Sequence, residues 1–463
     1  MNAPVLWIFL PALVSTILII TPQERIRFLI FITTSILLVL STFIIRIDPV
    51  GDLSFFEFAM SSELRILGRS FILTEEDKFL VQIVYFFNVI WGIFSYFFRR
   101  NSRVVPFGLL FSGMLLAAYT VTPFLYAALI IELSILLSIP LLHDNKQAET
   151  QGISRFLIYQ TLALPFILLA GWFLAGGEIT PVNPAQLVQA TLLLGLGFIL
   201  WLGVFPFHSW ISLLYRESET INLGYFLQLF IFIAFFIILK FLNGFSWLRQ
   251  YGTFFQGLLV LGAIMEGLGA LGISFQNNLK DINGYALLHM IGVLMTALGI
   301  YIFGGIILFP HMFAVYFASL SLLHITIEYL FGSVRNEKLE LAQKEDVNIY
   351  AFFGYAYALL TISGMPLTIG FAPVLWMYQI LANNHVFAFW VLIGSKILIS
   401  ITAIRVIKLM YEKAVTRQAL LPEKIKDWGM VVFFVLVMLA GLFPTVIYRN
   451  FEQLLSGFKN LIQ

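Results

Sequence analysis

Long hydrophobic runs follow one another along almost the whole chain, separated by short polar joints. An α-helix needs about 20 apolar residues to cross the hydrocarbon core of a bilayer, and the runs reach that length. The pattern therefore predicts an all-α polytopic membrane protein with about 14 transmembrane helices. We expect them at residues 3–20, 27–45, 78–98, 104–123, 124–142, 153–176, 188–215, 220–243, 253–275, 281–304, 311–334, 349–382, 386–411 and 428–448.

Three segments carry a different pattern. Residues 46–77 mix charges with alternating apolar positions, which predicts an extramembrane hairpin. The end of the chain, RNFEQLLSGFKNLIQ, is typical of an amphipathic interfacial helix. The N-terminal run lacks a basic region and a small-residue cleavage site, so we interpret it as a first span.

Two predicted spans are interrupted. The seventh contains Pro206 in FPFHSW, and the twelfth contains Gly364 and Pro366 in SGMPLTIGFAP. Proline removes a backbone donor and clashes with the preceding turn, so each helix should break inside the membrane. Breaks five spans apart predict two inverted five-helix repeats. We therefore divide the chain into 1–98, with three helices and the hairpin, repeats at 99–248 and 249–412, and a final helical part at 413–463.

Composition narrows the function. Of the 463 residues, 60% are hydrophobic and 11% are charged, against roughly 25% charged in soluble domains. The chain thus has no room for a soluble catalytic domain. It has no cysteine, which excludes disulfides, thiolate zinc sites and cysteine-ligated iron–sulfur clusters. Six histidines show no pairing typical of haem ligation, so we predict no metal and no cofactor on this chain.

The loops that carry Lys and Arg predict the orientation, because positive loops stay on the cytoplasmic side. Those residues alternate onto one side, which leaves both termini on the outer, periplasmic side of a bacterial plasma membrane or an organelle energy-transducing membrane. The loops concerned hold Arg25, Arg27, Arg99, Arg100, Arg103, Lys146, Arg155, Arg216, Lys280 and segments 335–346 and 413–427.

Ionisable side chains inside predicted spans are candidates for a proton path, because each costs at least about 2.5–3.5 kcal/mol to insert. His324 and Glu328 are four residues apart and share a helix face, as a relay or as a packing pair. His208 follows Pro206, where a structural cap is the favoured interpretation. The candidates are Glu132, His208, Glu266, Lys280, His289, His324, Glu328 and Lys396.

Several motifs occur in one order along residues 100–411. They are IIELSILLSIP around Glu132, FPFHSW at 205–210, QNNLKDINGYALLHMIG at 276–292, SGMPLTIGF at 363–371 and AIRVIKLMY at 403–411. This set resembles the antiporter-like subunits of respiratory complex I and of Mrp-type cation/proton antiporters. The resemblance implies a membrane subunit that relays protons in a multi-subunit complex, with other membrane subunits, some of them antiporter-like, as partners and redox cofactors only on partner chains.

The resemblance also assigns residues. Glu132 matches the family's helix-five acid, His324 its helix-eleven Lys or His, and Lys280 with His289 its helix-ten motif. Three further positions, where the family has Lys or Glu, are apolar here: Trp201, Phe232 and Val374.

Two hypotheses remain open. In the first, the path is rewired: Glu266, Glu328 and Lys396 replace the missing groups, with Lys396 as a new partner for Glu132. In the second, the chain is a scaffold with a dry interior around Trp201, Phe232 and Val374. The sequence names neither the complex nor the ion, although histidines favour H⁺ over Na⁺.

Overall fold

The computed structural model describes residues 2–49, 58–98, 102–143, 150–174, 184–331, 349–414 and 425–462. Helices dominate it. In chain order they are α1 (Leu10–Ile20), α2 (Glu24–Ile44), α3 (Lys78–Phe98), α4 (Val104–Thr120), α5 (Leu125–Leu142), α6 (Gln151–Leu174), α7 (Pro184–Leu202), α8 (Ser209–Glu217), α9 (Thr220–Gly244), α10 (Ser246–Gln250), α11 (Gly252–Phe275), α12 (Leu279–Gly299), α13 (Leu308–Phe331), α14 (Ile349–Ser363), α15 (Phe371–Asn384), α16 (Val386–Ala414), α17 (Ile425–Leu442), α18 (Pro444–Glu452) and α19 (Lys459–Ile462). The described strands are β1 (Ile45–Ile47), β2 (Phe58–Met60), β3 (Glu63–Ile66), β4 (Arg69–Ile72) and β5 (Val121–Thr122).

The predicted all-α polytopic class is confirmed, and by length and hydropathy together the described residues supply nine or ten of the 14 predicted spans. Nine described helices are long and apolar enough to cross a membrane, and α17 with α18 makes a further pair, bent by 85°. Four further described helices are apolar but shorter than these spans: Val5–Ile20, Val104–Thr120, Gln186–Leu202 and Ala351–Ser363. The protein is thus a polytopic membrane protein.

The predicted hairpin is present between α2 and α3. β3 and β4 pair antiparallel, and β5 adds a short third strand beside β4. Along the exposed strand β3, Arg65 donates to Glu63 at 2.6 Å, and that hydrogen bond holds the pKa of the Glu63 carboxyl below its usual value. β1 and β2 form a separate parallel pair.

Both predicted helix breaks are confirmed. The chain leaves α7 at Leu202 and re-enters a helix at Ser209, on either side of Pro206. The second break separates α14 from α15. Gly364 adopts a φ of +73°, which a residue with a side chain rarely adopts, and the backbone turns there.

The helices pack into two units. Unit 1 comprises Met1–Gly203, Tyr225–Gly244 and Ser456–Phe458. Its interior holds the greater part of α9, whose Phe226 and Phe230 rings pack against Phe156 of α6 at centroid distances of 5.5 and 6.5 Å. A neutral network of hydrogen bonds crosses this interior: Tyr225 Oη donates to Asn88 Oδ1 at 2.6 Å, and Asn88 Nδ2 donates to Ser112 at 3.0 Å.

Unit 2 comprises Val204–Gly224, Phe245–Leu455 and Lys459–Gln463. Its closest helix pair is α11 with α12, where glycines let the two backbones touch. A Cβ on Gly269 would lie 2.6 Å from the His289 backbone nitrogen, and a Cβ on Gly292 would lie 2.6 Å from the Glu266 nitrogen. Close approach through small residues is the usual way in which membrane helices associate.

Some loops that predict the orientation lie outside the described residues. They are Arg99, Arg100, Lys146, segment 335–346 and residues 415–424 of the last loop.

The glycine contact between α11 and α12 can be tested with one substitution at two positions of α11. Gly269→Ala should destabilise the protein by about 1–3 kcal/mol, because the new methyl group meets backbone that cannot move aside. Gly257→Ala places the same methyl group in open space and should not destabilise. The measurement is the thermal unfolding midpoint of each purified variant in one detergent. Equal shifts in the two variants would contradict the close contact.

Candidate functional site

Three ionisable side chains are connected inside unit 2. Lys396 Nζ lies 3.0 Å from His289 Nε2 and donates to the Ile362 carbonyl oxygen at 2.7 Å. His289 Nδ1 lies 3.1 Å from the Glu266 carbonyl oxygen. Glu266, His289 and Lys396 are 0%, 0% and 5% exposed. We call these three residues, with the Ile362 carbonyl group, the central cluster.

The partners of His289 decide which ring nitrogen carries the hydrogen. A carbonyl oxygen can only accept, so Nδ1 must donate to Glu266. In the neutral ring Nε2 is then an acceptor, which suits the ammonium group of Lys396. The imidazole therefore bridges α16 and α11 as a neutral group.

Of the two oxygens of the Glu266 carboxyl group, one accepts a hydrogen bond and the other has no hydrogen-bond partner among the described residues. Oε1 accepts from Thr296 Oγ1 at 2.6 Å. Oε2 is buried without a hydrogen-bond partner among the described residues. Glu266 also interacts electrostatically with Lys396 and with Tyr378. Because a buried polar atom is costly to leave unpaired, Oε2 is a place where a proton or a water molecule would be held.

The second helix break supplies an acceptor for Lys396. As α14 ends, the N–H groups of Gly364 and Met365 bond back to the carbonyl oxygens of Thr361 and Leu360, both at 3.1 Å. The next carbonyl group along the chain, that of Ile362, accepts from Lys396 instead. A cation at the carboxyl end of a helix is also favoured by the helix dipole.

A second buried pair joins α8 to α13. Tyr215 Oη and His324 Nε2 lie 2.6 Å apart, and His324 Nδ1 lies 2.5 Å from the Leu320 carbonyl oxygen. By the same reasoning Nδ1 donates and Nε2 accepts from the tyrosine hydroxyl. The pairing of His324 with Glu328 stays a prediction. Glu328 is itself buried, at 2% exposure, one turn further along α13.

Charged groups also mark the start of α12. Arg216 on α8 donates two hydrogen bonds to the Asp281 carboxylate, at 2.6 and 2.9 Å. Lys280 is buried next to Asp281, and its backbone N–H bonds to the capping side chain of Asn278. His208 occupies the cap position of α8, although its side chain makes no capping hydrogen bond, and its structural role stays a prediction.

Glu132 belongs to unit 1. It is half-buried on α5, and Thr161 of α6 donates to its Oε1 at 2.7 Å. Thr161 is thus the observed partner of Glu132, whereas Lys396 is held by His289 and Ile362. The three apolar replacements are all buried: Trp201, Phe232 and Val374 are 1%, 0% and 3% exposed.

Sequence reasoning missed Thr296, Tyr215 and Arg216. Thr296 follows His289 by seven residues, so the helical period places both on one face of α12, and this signal was available. Tyr215 and Arg216 gave no comparable signal, because aromatic and basic residues are common where a span ends at the membrane surface.

Comparison with known proteins extends the picture. No protein-family model matches the chain. It is 27% identical over 215 residues to NADH-quinone oxidoreductase subunit N of Buchnera aphidicola, and the match covers 44% of this chain and 42% of that protein. The chain therefore matches about two-fifths of the length of this relative.

Solved structures match over nearly the whole chain. A chain of the membrane-bound sulfane sulfur reductase, an archaeal respiratory membrane complex, gives a TM-score of 0.81 at 13% identity, covering 100% of this chain and 98% of that one. A chain of the Mrp complex from Dietzia sp. gives 0.77 at 11% identity, covering 100% and 99%. A chain of respiratory complex I from Thermus thermophilus gives 0.76 at 17% identity, covering 99% and 100%.

These likenesses confirm the predicted fold class, an all-α polytopic membrane protein. The chain has the fold of polytopic membrane subunits in respiratory and Mrp complexes, and its relatives are those to which its motifs point.

The coupling between Glu266 and Lys396 can be measured with a double-mutant cycle. Glu266→Gln and Lys396→Met should each destabilise the protein, because each leaves a buried partner uncompensated. The double variant should be more stable than the sum predicts, by about 0.5–3 kcal/mol. The readout is the thermal unfolding midpoint. Lys408, exposed on the same helix, provides the control: Lys408→Met should combine additively with Glu266→Gln. Additivity in both cycles would exclude the coupling.

Proposed function

We propose that this chain is a membrane subunit of a multi-subunit ion-translocating complex and that it relays protons through unit 2. The central cluster carries the proposal. A carboxyl group, an imidazole and an ammonium group stand inside the bilayer in hydrogen-bond or electrostatic contact, and each can hold and pass a proton.

The chemistry of the cluster favours H⁺ over Na⁺. Lys396 brings a positive charge that repels a bare cation, and His289 presents its accepting nitrogen to that lysine. A proton, in contrast, can move between Lys396 Nζ and the accepting His289 Nε2, which lie 3.0 Å apart. Tyr215 and His324 form a second such step, with Glu328 one turn away on α13.

The complete site assignment is part of the proposal. Glu266, His289 and Lys396 form the centre of the path, and His324 with Glu328 extends it towards the start of α12, where Lys280 is buried. His208 and Glu132 are further candidates, the latter in unit 1. Pro206, Gly364 and Pro366 create the helix breaks, and the break at Gly364 frees the carbonyl group that holds Lys396.

The complex and its orientation are proposed on other grounds. Other membrane subunits, some of the same fold, are the expected partners, and redox cofactors would sit on partner chains. The loops rich in Lys and Arg favour a cytoplasmic location for the side of the protein on which they lie. Both termini would then be on the outer side of the membrane.

A scaffold role is the second candidate. The burial of Trp201, Phe232 and Val374 favours it, because bulky apolar groups occupy positions where the resembling family has ionisable ones. In this case the chain would hold its neighbours in place while protons cross elsewhere.

Proton uptake distinguishes the two functions. The intact complex is purified with Lys396→Met, reconstituted into sealed vesicles, and compared with wild type for proton uptake and for the rate of its driving reaction. We expect uptake per turnover to fall in Lys396→Met, because the imidazole and carboxyl groups lose the cation that they face. Glu132→Gln measures the contribution of unit 1 in the same assay.

Lys408→Met is the matched control, since Lys408 is exposed on the same helix. It should leave uptake unchanged. If Lys396→Met and Glu132→Gln assemble and pump as wild type does, the relay is refuted and the scaffold role stands.

A further inference from the structure

A cavity opens in unit 1 where α1 meets α2 and where α3 meets α4. Its volume is about 700 Å³, within the range of about 300–1,000 Å³ that is usual for ligand sites. Three arginines and one glutamate line it: Arg25, Arg27, Arg103 and Glu24. The lining therefore carries a net positive charge.

The arginines differ in how they are held. Arg103 Nη1 donates to the Pro140 carbonyl oxygen at 2.5 Å. Within the described part of the chain, the guanidinium groups of Arg25 and Arg27 have neither a hydrogen bond nor an ion pair. Arg25 is exposed and Arg27 is half-buried. Two guanidinium groups facing one cavity without an acceptor are suited to an anion with several oxygen atoms, because each fork can bind two of them.

The ends of two long helices add to the same field. α2 begins at Glu24 and α4 at Val104, and neither has a side-chain hydrogen bond from its capping residue. The Val104 N–H bonds to Ser102 Oγ at 3.4 Å, so at α4 it is the positive end of the helix dipole that lies beside the arginines. This arrangement favours a headgroup with a net negative charge over a zwitterionic or neutral headgroup.

The rest of the cavity is apolar. Ile19, Phe28 and Phe107 contribute to its walls, and Phe28 stacks on Tyr96 at 4.2 Å. The adjoining surfaces of α1 and α2 are apolar and exposed, with Ile20 at 82%. A ligand that matches both the basic and the apolar part of this cavity has an anionic headgroup and a hydrocarbon tail.

We propose that this cavity binds the headgroup of an anionic phospholipid, with Arg25 and Arg27 on the phosphate and the acyl chains along α1 and α2. Basic pockets at the cytoplasmic surface are where such headgroups bind, and the orientation predicted from the loops puts this cavity there. The site is independent of the proton path in unit 2.

Native mass spectrometry of the full chain in detergent tests the proposal, with titrations of phosphatidylglycerol, of phosphatidylcholine with the same acyl chains, and of inorganic phosphate. Wild type should bind phosphatidylglycerol more tightly than phosphatidylcholine. Arg25→Gln/Arg27→Gln should lower the phosphatidylglycerol affinity roughly 25-fold, because each basic residue contributes about a factor of five. Arg449→Gln, which removes an exposed arginine from α18, should leave it unchanged.

Arg25→Lys/Arg27→Lys keeps both positive charges and should retain the preference for phosphatidylglycerol. It therefore shows that the lower affinity of the Gln variant comes from the lost charge and not from misfolding. Equal affinity of wild type for the two lipids would overturn the proposal, as would undiminished phosphatidylglycerol binding by a folded Gln variant. Displacement of the lipid by inorganic phosphate at equal concentration would also overturn it, because the site would then recognise a soluble anion.

Discussion

An ammonium group inside a bilayer must be surrounded by acceptors that the protein supplies, and this requirement governs the centre of unit 2. The hydrocarbon core of the bilayer offers no hydrogen-bond acceptor, so Lys396 depends on the Ile362 carbonyl oxygen and on His289 Nε2. An intact helix would have used that carbonyl in its own hydrogen bonds. The break at Gly364 and Pro366 is therefore a condition for holding the charge, and a regular span in its place would leave Lys396 without one of its two acceptors.

The position of the imidazole depends in turn on how closely α11 and α12 approach. His289 can bond to the Glu266 carbonyl group only because Gly269 and Gly292 leave no side chain between the two backbones. The same approach brings Thr296 Oγ1 to the Glu266 carboxyl group. A few small residues thus fix the tautomer of His289 and the anchor of Glu266, although none of them has any acid–base chemistry.

The sequence predicted which segments cross the membrane, where two of them break, and which buried residues are ionisable, because hydropathy, proline and charge act locally. It did not predict which of these residues contact one another. Lys396 is separated from His289 by 107 residues and from Ile362 by 34, and no local rule relates those positions. A backbone carbonyl group has no sequence signature at all. The Glu132–Lys396 pairing was proposed from residue type alone, whereas the observed partner of Glu132 is a threonine hydroxyl group.

The two units differ in what they bury. Among the described residues of unit 1, Lys78 is the one buried charged side chain, and it bonds to Glu75 at the start of α3. In its interior Tyr225, Asn88 and Ser112 form a network of neutral groups, and the half-buried Lys240 donates to the Tyr119 carbonyl oxygen at 2.8 Å near the end of α9. Unit 2 buries Glu266, Lys396, Glu328 and several histidines. Neutral amide and hydroxyl groups can orient water but do not retain a charge, so under the proposed function unit 2 stores the proton. The apolar replacements at Trp201 and Phe232 in unit 1 are then consistent with a subunit that pumps through one unit.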